Sequence, residues 1–206
     1  MAKKLVIIDY GIGNHFSVQK KMNRLDYDVI TTNDPDEIKS ADKIILPGVG
    51  HFGKAMENLK KLNLITTLHQ EVLKNNKPIF GICLGMQLMA SRSDEGDTEG
   101  LNWFDATVNR FKIKNQLKYK VPHTGWNQVE ISKSSNLMKQ IDDLSEFYFV
   151  HAYHFSCNDA TDVLCYTDYE SKFVSAVERN NIFGVQFHPE KSHDVGMQLL
   201  KNFIEL

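Results

Sequence analysis

The spacing of hydrophobic positions changes near residue 100. In the first half, short unbroken apolar runs alternate with stretches in which apolar residues recur every three or four positions. Leu5-Val6-Ile7-Ile8, Val29-Ile30-Thr31-Thr32, Lys43-Ile44-Ile45-Leu46 and Ile79-Phe80-Gly81-Ile82-Cys83 read as strands. The continuous run Leu5 to Ile8 has the pattern of a strand buried on both faces. Between them, His15 to Leu25 carries Val18, Met22 and Leu25 at helical spacing, with Gln19, Lys20, Lys21 and Asn23 left for a wet face. Asp34 to Lys39, Phe52 to Leu62 and Leu64 to Lys74 also read as helices, and Asn75 to Pro78 as a loop. Strands alternating with helices predict a parallel sheet.

The texture then turns to β. Ser93 to Gly100 is a polar loop, and short β-rich runs follow at Ala106 to Phe111, Val129 to Ile131, Phe147 to Val150, Val163 to Tyr166, Phe173 to Val177 and Phe183 to Phe187. They predict antiparallel or mixed strands. A last helix, Val195 to Ile204, turns Leu199, Leu200 and Phe203 inward. No linker, repeat or low-complexity segment divides the chain, so the expectation is one α/β domain over residues 1–206. It would be an open twisted, mostly parallel sheet with helices on both faces and an antiparallel β extension.

Composition narrows the function classes. With 206 residues, 42% hydrophobic and 24% charged, the chain is long enough for one well-buried core. A net charge of −2, with both signs interspersed, offers no basic stripe for nucleic acid. The N-terminal stretch Met1 to Ile8 starts basic but is broken by Asp9, and no apolar run approaches the ~18 residues of a membrane span. These features point to a cytoplasmic protein with neither nucleic acid nor membrane as partner. Cys83, Cys157 and Cys165 are an odd number without Cys-x-x-Cys spacing, which argues against a disulfide framework or a zinc site. No cofactor is expected. Gly11-x-Gly13 is not a dinucleotide fingerprint, because Phe16 stands where a third glycine is needed.

Three short motifs carry chemistry. Gly81-Ile82-Cys83-Leu84-Gly85 sits where an apolar strand passes into the helix-like Met86 to Ala90. It is the cysteine counterpart of the Gly-x-Ser-x-Gly nucleophile elbow, with glycines that let strand and helix pass closely. Cys83 would stand at a helix N-terminus, where unpaired amides and the helix dipole favour negative charge. Pro47-Gly48-Val49-Gly50 closes the third strand with a turn whose amides can face a ligand. His188-Pro189-Glu190 ends the last strand. In extended chain, His188 and Glu190 share a side, where a carboxylate fixes the tautomer of an imidazole facing a nucleophile.

Taken together, these motifs resemble the triad-type class I glutamine amidotransferases. Asp9-Tyr10-Gly11-Ile12-Gly13-Asn14, Pro122-His123-Thr124-Gly125-Trp126-Asn127, Tyr148-Phe149-Val150-His151 and Pro189-Glu190-Lys191-Ser192 are similar to the glutaminase subunits of imidazole glycerol phosphate synthases. The resemblance runs from end to end of the chain. It implies that Cys83 attacks the side-chain amide of L-glutamine, with His188 and Glu190 completing a triad. The oxyanion is then held by amides of Leu84 and of Gly48, Val49 and Gly50, and Gln87, Glu95, Ala152 and Tyr153 contact substrate. It also implies a (β/α)8-barrel cyclase subunit that receives the ammonia, with Asn14, Trp126, Asn127 and Lys191 at the docking face.

His15, Asn102 and Ala152 depart from the usual pattern, and none is a triad residue. They leave open a paralogous glutaminase that supplies ammonia for surface-sugar amidination, toward which Tyr153-His154-Phe155 and the tail from Ser192 to Leu200 lean. A non-catalytic regulatory module is a further alternative, disfavoured by the intact Cys83, His188 and Glu190.

Overall fold

The computed structural model describes residues 3–25 and 27–206. Met1 and Ala2, in the basic N-terminal stretch, and Asp26 lie outside the described residues. The first half follows the alternating pattern. It runs β1 (Lys4–Ile8), α1 (His15–Met22), β2 (Asp28–Thr32), α2 (Pro35–Ser40), β3 (Lys43–Gly48), α3 (Phe52–Lys61), α4 (Leu64–His69), β4 (Ile79–Cys83) and the one-turn α5 (Leu84–Gln87). Asp34 caps α2 by accepting from Asp36 N, with Pro35 at the first helical position, where its missing N–H costs nothing. The stretch Gln70–Lys74 continues α4 as a π-helical turn.

The second half contains β5 (Arg92–Ser93), β6 (Thr98–Glu99), β7 (Ala106–Arg110), β8 (His123–Gln128), β9 (Glu130–Ile131), β10 (Glu146–His151), β11 (Tyr153–Cys157), β12 (Val163–Tyr169), β13 (Ser171–Arg179), β14 (Ile182–Val185) and finally α6 (His193–Glu205). Among the described residues these form a main sheet of order β2-β1-β3-β4-β14-β13-β11-β7-β5-β6, with β12 and β9 attached beside β13, and a separate β10-β8 pair. The pairings from β2 to β14 are parallel; those of β13 with β14, β11 and β12 are antiparallel.

Each sheet face is covered by apolar side chains. On one side Ile38 of α2, Ala55 and Leu59 of α3, and Leu64 and Leu68 of α4 pack with Val6, Ile8, Ile44 and Leu46. On the other, Val18 and Met22 of α1 and Leu199, Leu200 and Phe203 of α6 pack with Leu5, Ile7, Ile45 and Phe80. No helix among the described residues is long and apolar enough to cross a membrane.

Four local expectations are corrected. The third strand runs on through Pro47 and Gly48, because these pair with Ile82 and Cys83 of β4. The helix after Cys83 stops at Gln87. The carbonyls of Leu88, Met89 and Ala90 instead accept from the amides of Leu101, Asn102, Trp103 and Phe104. His188 and Glu190 do not share a side by strand alternation; β14 ends at Val185, and Pro189–Lys191 is a 3-10 turn. The helix from His15 ends at Met22, with Asn23 as its cap, short of Leu25.

Candidate active site

The register of three central strands builds the site. Gly48 at the end of β3 lies opposite Cys83 at the end of β4, and Val185 of β14 lies opposite Ile82. The turn after β3, the cysteine after β4 and the segment after β14 therefore emerge side by side at the carboxyl ends of parallel strands, where open α/β sheets bind ligands.

Cys83 adopts φ 54° and ψ −108°, a left-handed conformation that a side chain ordinarily avoids. Pairing of β4 on both edges holds it there. The flanking glycines are required by close approach. A Cβ on Gly85 would lie 1.7 Å from Leu46 O, and one on Gly81 would lie 2.7 Å from Met86 N. The elbow thus presses directly against the backbone of β3.

His188 and Glu190 are both buried, with Nδ1 2.8 Å from Glu190 Oε1. Ser192 secures this segment. Its hydroxyl donates to His188 O at 2.7 Å and accepts from Tyr148 N at 3.0 Å. His188 Nε2 has no hydrogen-bond partner of normal geometry among the described residues. Burial disfavours a charged ring. The neighbouring Cys83 sulfur and the Glu190 carboxylate outweigh it and raise the His188 pKa from 6.5 to about 10. The arrangement is a thiol beside an imidazole held ready to be a cation. Cys83 Sγ is also 4.0 Å from Val150 O and 3.7 Å from Gln186 Nε2.

A cleft of about 270 Å³ opens over the sulfur, lined by Val49, Gly50, Cys83, Leu84, Gln87, Glu95, Pro122, Val150, His151, Ala152 and Tyr153. It brings together most of the residues expected to contact substrate. Gly48 is not on its wall; it is buried at the end of β3 beneath the turn. Glu95 Oε2 accepts from Phe52 N at 2.7 Å, tying the start of α3 to the β5-β6 loop. Gln87 Nε2 donates to Tyr153 O and to Gln186 Oε1, so only its Oε1 is left for a ligand. Sequence reasoning misses Tyr10 as a site residue, although it lies in one of the motifs. Its hydroxyl donates to Pro47 O at 2.7 Å, bracing the β3 turn, and burial followed by the nearby Cys83 keeps it un-ionised.

The four residues expected at a docking face come from three segments: Asn14 before α1, Trp126 and Asn127 on β8, and Lys191 in the 3-10 turn after β14. Asn14 precedes α1 and makes no side-chain cap. Trp126 is 44% exposed and stacks on His193 with ring centroids 4.9 Å apart. Lys191 is exposed, its Nζ 5.6 Å from the Tyr148 ring centre. Asn127, by contrast, is turned inward, donating to Asp168 O.

The family model described as Glutamine amidotransferase class-I matches residues 6–206. The chain belongs to the class I glutamine amidotransferases, the family its fold and Cys-His-Glu site define. Among its relatives, "Imidazole glycerol phosphate synthase subunit HisH 2" of Methanococcus maripaludis is 47% identical over 201 residues, covering 98% of both chains. The protein of the same name from Pseudomonas aeruginosa is 44% identical, covering 98% of this chain and 99% of that one. "Imidazole glycerol phosphate synthase subunit HisH" of Moorella thermoacetica is 44% identical over 99% of this chain and 95% of its own. Among solved structures, PurLQS from Thermotoga maritima superposes with a TM-score of 0.76 at 13% identity, covering 100% of this chain and 99% of that one. A glutamine amidotransferase from the same organism gives 0.66 at 19%, covering 100% and 82%. These two likenesses are of fold alone.

Proposed function

We propose that residues 1–206 act as one domain, the glutaminase subunit of an imidazole glycerol phosphate synthase, and that Cys83, His188 and Glu190 are its catalytic triad. The observation that carries this reading is the convergence of the Gly48-Val49-Gly50 turn, Cys83 and the buried His188–Glu190 pair where β3, β4 and β14 end, with Val49, Gly50 and Cys83 opening on one cleft. The Cys83 thiolate attacks the side-chain amide carbon of L-glutamine, and the carbonyl electrons move to oxygen. Amides of Leu84 and of the turn stabilise that oxyanion. Protonated His188 gives its proton to the leaving nitrogen, ammonia departs and a glutamyl thioester remains. Neutral His188 then takes a proton from water, the hydroxide adds to the thioester, and collapse releases glutamate and the thiolate. Glu190 keeps the ring oriented through both steps. Gln87 Oε1 and Glu95 accept hydrogen bonds from the substrate α-ammonium, Ala152 and Tyr153 line its path, and no cofactor takes part.

Ammonia released into water near neutral pH is mostly protonated and lost as a nucleophile, which favours a partner that receives it. The partner in this reading is a (β/α)8-barrel cyclase subunit docked over Asn14, Trp126 and Lys191, in histidine biosynthesis. A second reading, a paralogue that feeds a sugar-amidinating enzyme, rests on Tyr153-His154-Phe155 and the tail from Ser192 to Leu200.

Glutamate release by the purified chain, alone and with the barrel cyclase of the same organism, with and without the cyclase nucleotide, tests the proposal. Low basal release rising at least tenfold in the loaded complex, and lost in Cys83→Ala, is expected. A cyclase that neither binds nor stimulates defeats the histidine reading. Absence of any Cys83-dependent release defeats the glutaminase.

A further inference from the structure

The Cys83 sulfur has a neighbour that the reaction above leaves unused. Gln186 follows β14 directly and is fully buried, with its Nε2 3.7 Å from Cys83 Sγ, within hydrogen-bonding range for sulfur. Which end of that amide faces the sulfur is fixed by contacts that begin elsewhere. A carbonyl oxygen can only accept. Tyr153 O lies 3.0 Å from Gln87 Nε2 and 2.7 Å from His151 Nδ1, so both nitrogens donate to it. Gln87 Nε2 spends its second hydrogen on Gln186 Oε1, 2.9 Å away. Gln186 therefore turns its donor, Nε2, toward Cys83.

The ring tautomers follow outward in the same way. Burial pushes the His151 pKa down to about 3, so the ring is neutral; with Nδ1 carrying the proton, Nε2 is bare. His123 Nδ1, 3.2 Å away, must donate to it. Burial likewise holds His123 down, at about 4, and its bare Nε2 accepts from Asn127 Nδ2 at 3.3 Å. The Asn127 amide is oriented in turn by donating to Asp168 O at 2.9 Å and accepting from Gln128 N at 2.8 Å. Every hydrogen position from half-buried Asn127 to Gln186 is thereby determined.

We infer that Gln186 is a catalytic hydrogen-bond donor to the Cys83 sulfur, held in its donating orientation by Gln87, which the Tyr153 carbonyl fixes in turn; His151, His123 and Asn127 extend the hydrogen bonding from that carbonyl to β8. The inference rests on the glutaminase reading, since a thiolate nucleophile is what such a donor serves. Gln186 transfers no proton. Its N–H stabilises the sulfur anion before attack, loosens as the S–C bond forms and charge leaves the sulfur, and tightens again when the thiolate is expelled from the hydrolysed thioester. It acts on the sulfur, whereas Leu84 and the β3 turn act on the substrate oxygen.

The rate of iodoacetamide alkylation at Cys83 against pH, read by peptide mass on the full chain with Cys83→Ala as blank, tests this without partner or glutamine. The titratable groups facing the site are His188, Glu190, Tyr10, His151 and Glu95. Tyr10 and His151 are held neutral by burial, and His188, its pKa raised by the Cys83 sulfur and the Glu190 carboxylate, is the base beside the sulfur. Gln186→Leu, similar in size and without a donor, is expected to move the inflection up by about one pH unit, a tenfold loss of thiolate at a given pH below it. An unmoved inflection in that folded variant overturns the inference.

If Gln186→Leu fails to fold, Gln186→Met, also without a donor, decides instead, with an upward shift expected and an unmoved inflection overturning the inference. Long-range proton–nitrogen NMR of 15N-histidine-labelled chain checks the hydrogen placement around the Tyr153 carbonyl: His123 and His151 should both carry hydrogen on Nδ1, and an Nε2–H form of His151 overturns it. Failure of the broader reading looks different, as a wild-type chain that releases no glutamate while its alkylation profile still depends on Gln186.

Discussion

Cys83 holds a backbone conformation that costs energy, and its neighbours show what sustains it. Gly85 has no space for a methyl group against Leu46 O, so Gly85→Ala should destabilise the chain by about 3 kcal/mol or more. A urea midpoint equal to that of wild type would refute the close approach. Glu190 orients His188 from a buried position, and Glu190→Gln keeps size and packing while removing the charge. Glutamate release should fall about 10²–10⁴-fold with the fold retained, and a loss under threefold would remove Glu190 from the triad. At this scale the motifs that carry Cys83, His188 and Glu190 were legible in the sequence, because they are short and local, and the structure brings the three residues together. Tyr10, Gln186 and Ser192 were not. Each acts on a residue far along the chain, Tyr10 on Pro47, Gln186 on Cys83 and Ser192 on Tyr148, and no spacing rule reports a contact made across the sheet.

Elements were legible where burial on both faces leaves an unbroken apolar run, as in β1, β3 and β4. The strand β8 has no such mark. His-Thr-Gly-Trp-Asn-Gln is polar, only His123 in it is buried, and its pairing with β10 supplies what its composition does not. Nor does β11, Tyr-His-Phe-Ser-Cys, in which only Phe155 is fully buried. The helix predicted beyond Cys83 is cut short by a loop that captures its carbonyls, a tertiary event invisible to periodicity.

The β8-β10 pair also sets a pH response. His123 and His151 face each other across it with pKa values depressed to about 4 and about 3 by burial. Unfolded histidine titrates near 6.5. Below that value the unfolded chain binds more protons than the folded one, so the stability these residues contribute, intact above about pH 6.5, is lost as pH falls toward 4 and 3. Urea midpoints should decline over that window, and less steeply in His123→Phe. An identical slope in the variant would show that His123 titrates alike in both states.

At the scale of the molecule, the order of layers was legible, whereas the course of the second half across the sheet was not. Alternating runs predict a parallel sheet covered on both faces, but they do not say that β14 returns to lie between β4 and β13. The proposed partner face gathers Asn14, Trp126 and Lys191 from segments that meet only in the fold. Lys191→Glu should weaken the complex with the barrel cyclase about tenfold by calorimetry, and an unchanged affinity would remove Lys191 from that face. The placement of β14 bears as well on the chain during its synthesis. Until residues 182–190 have been made and inserted, Cys83 has neither its proposed base nor Gln186, and the side of Ile79 to Cys83 that β14 will pair is an open sheet edge. In the proposed mechanism the nascent protein is therefore inactive at the stage when it is most prone to wrong pairing. The late insertion that would complete the site around Cys83 is also the one that seals the edge.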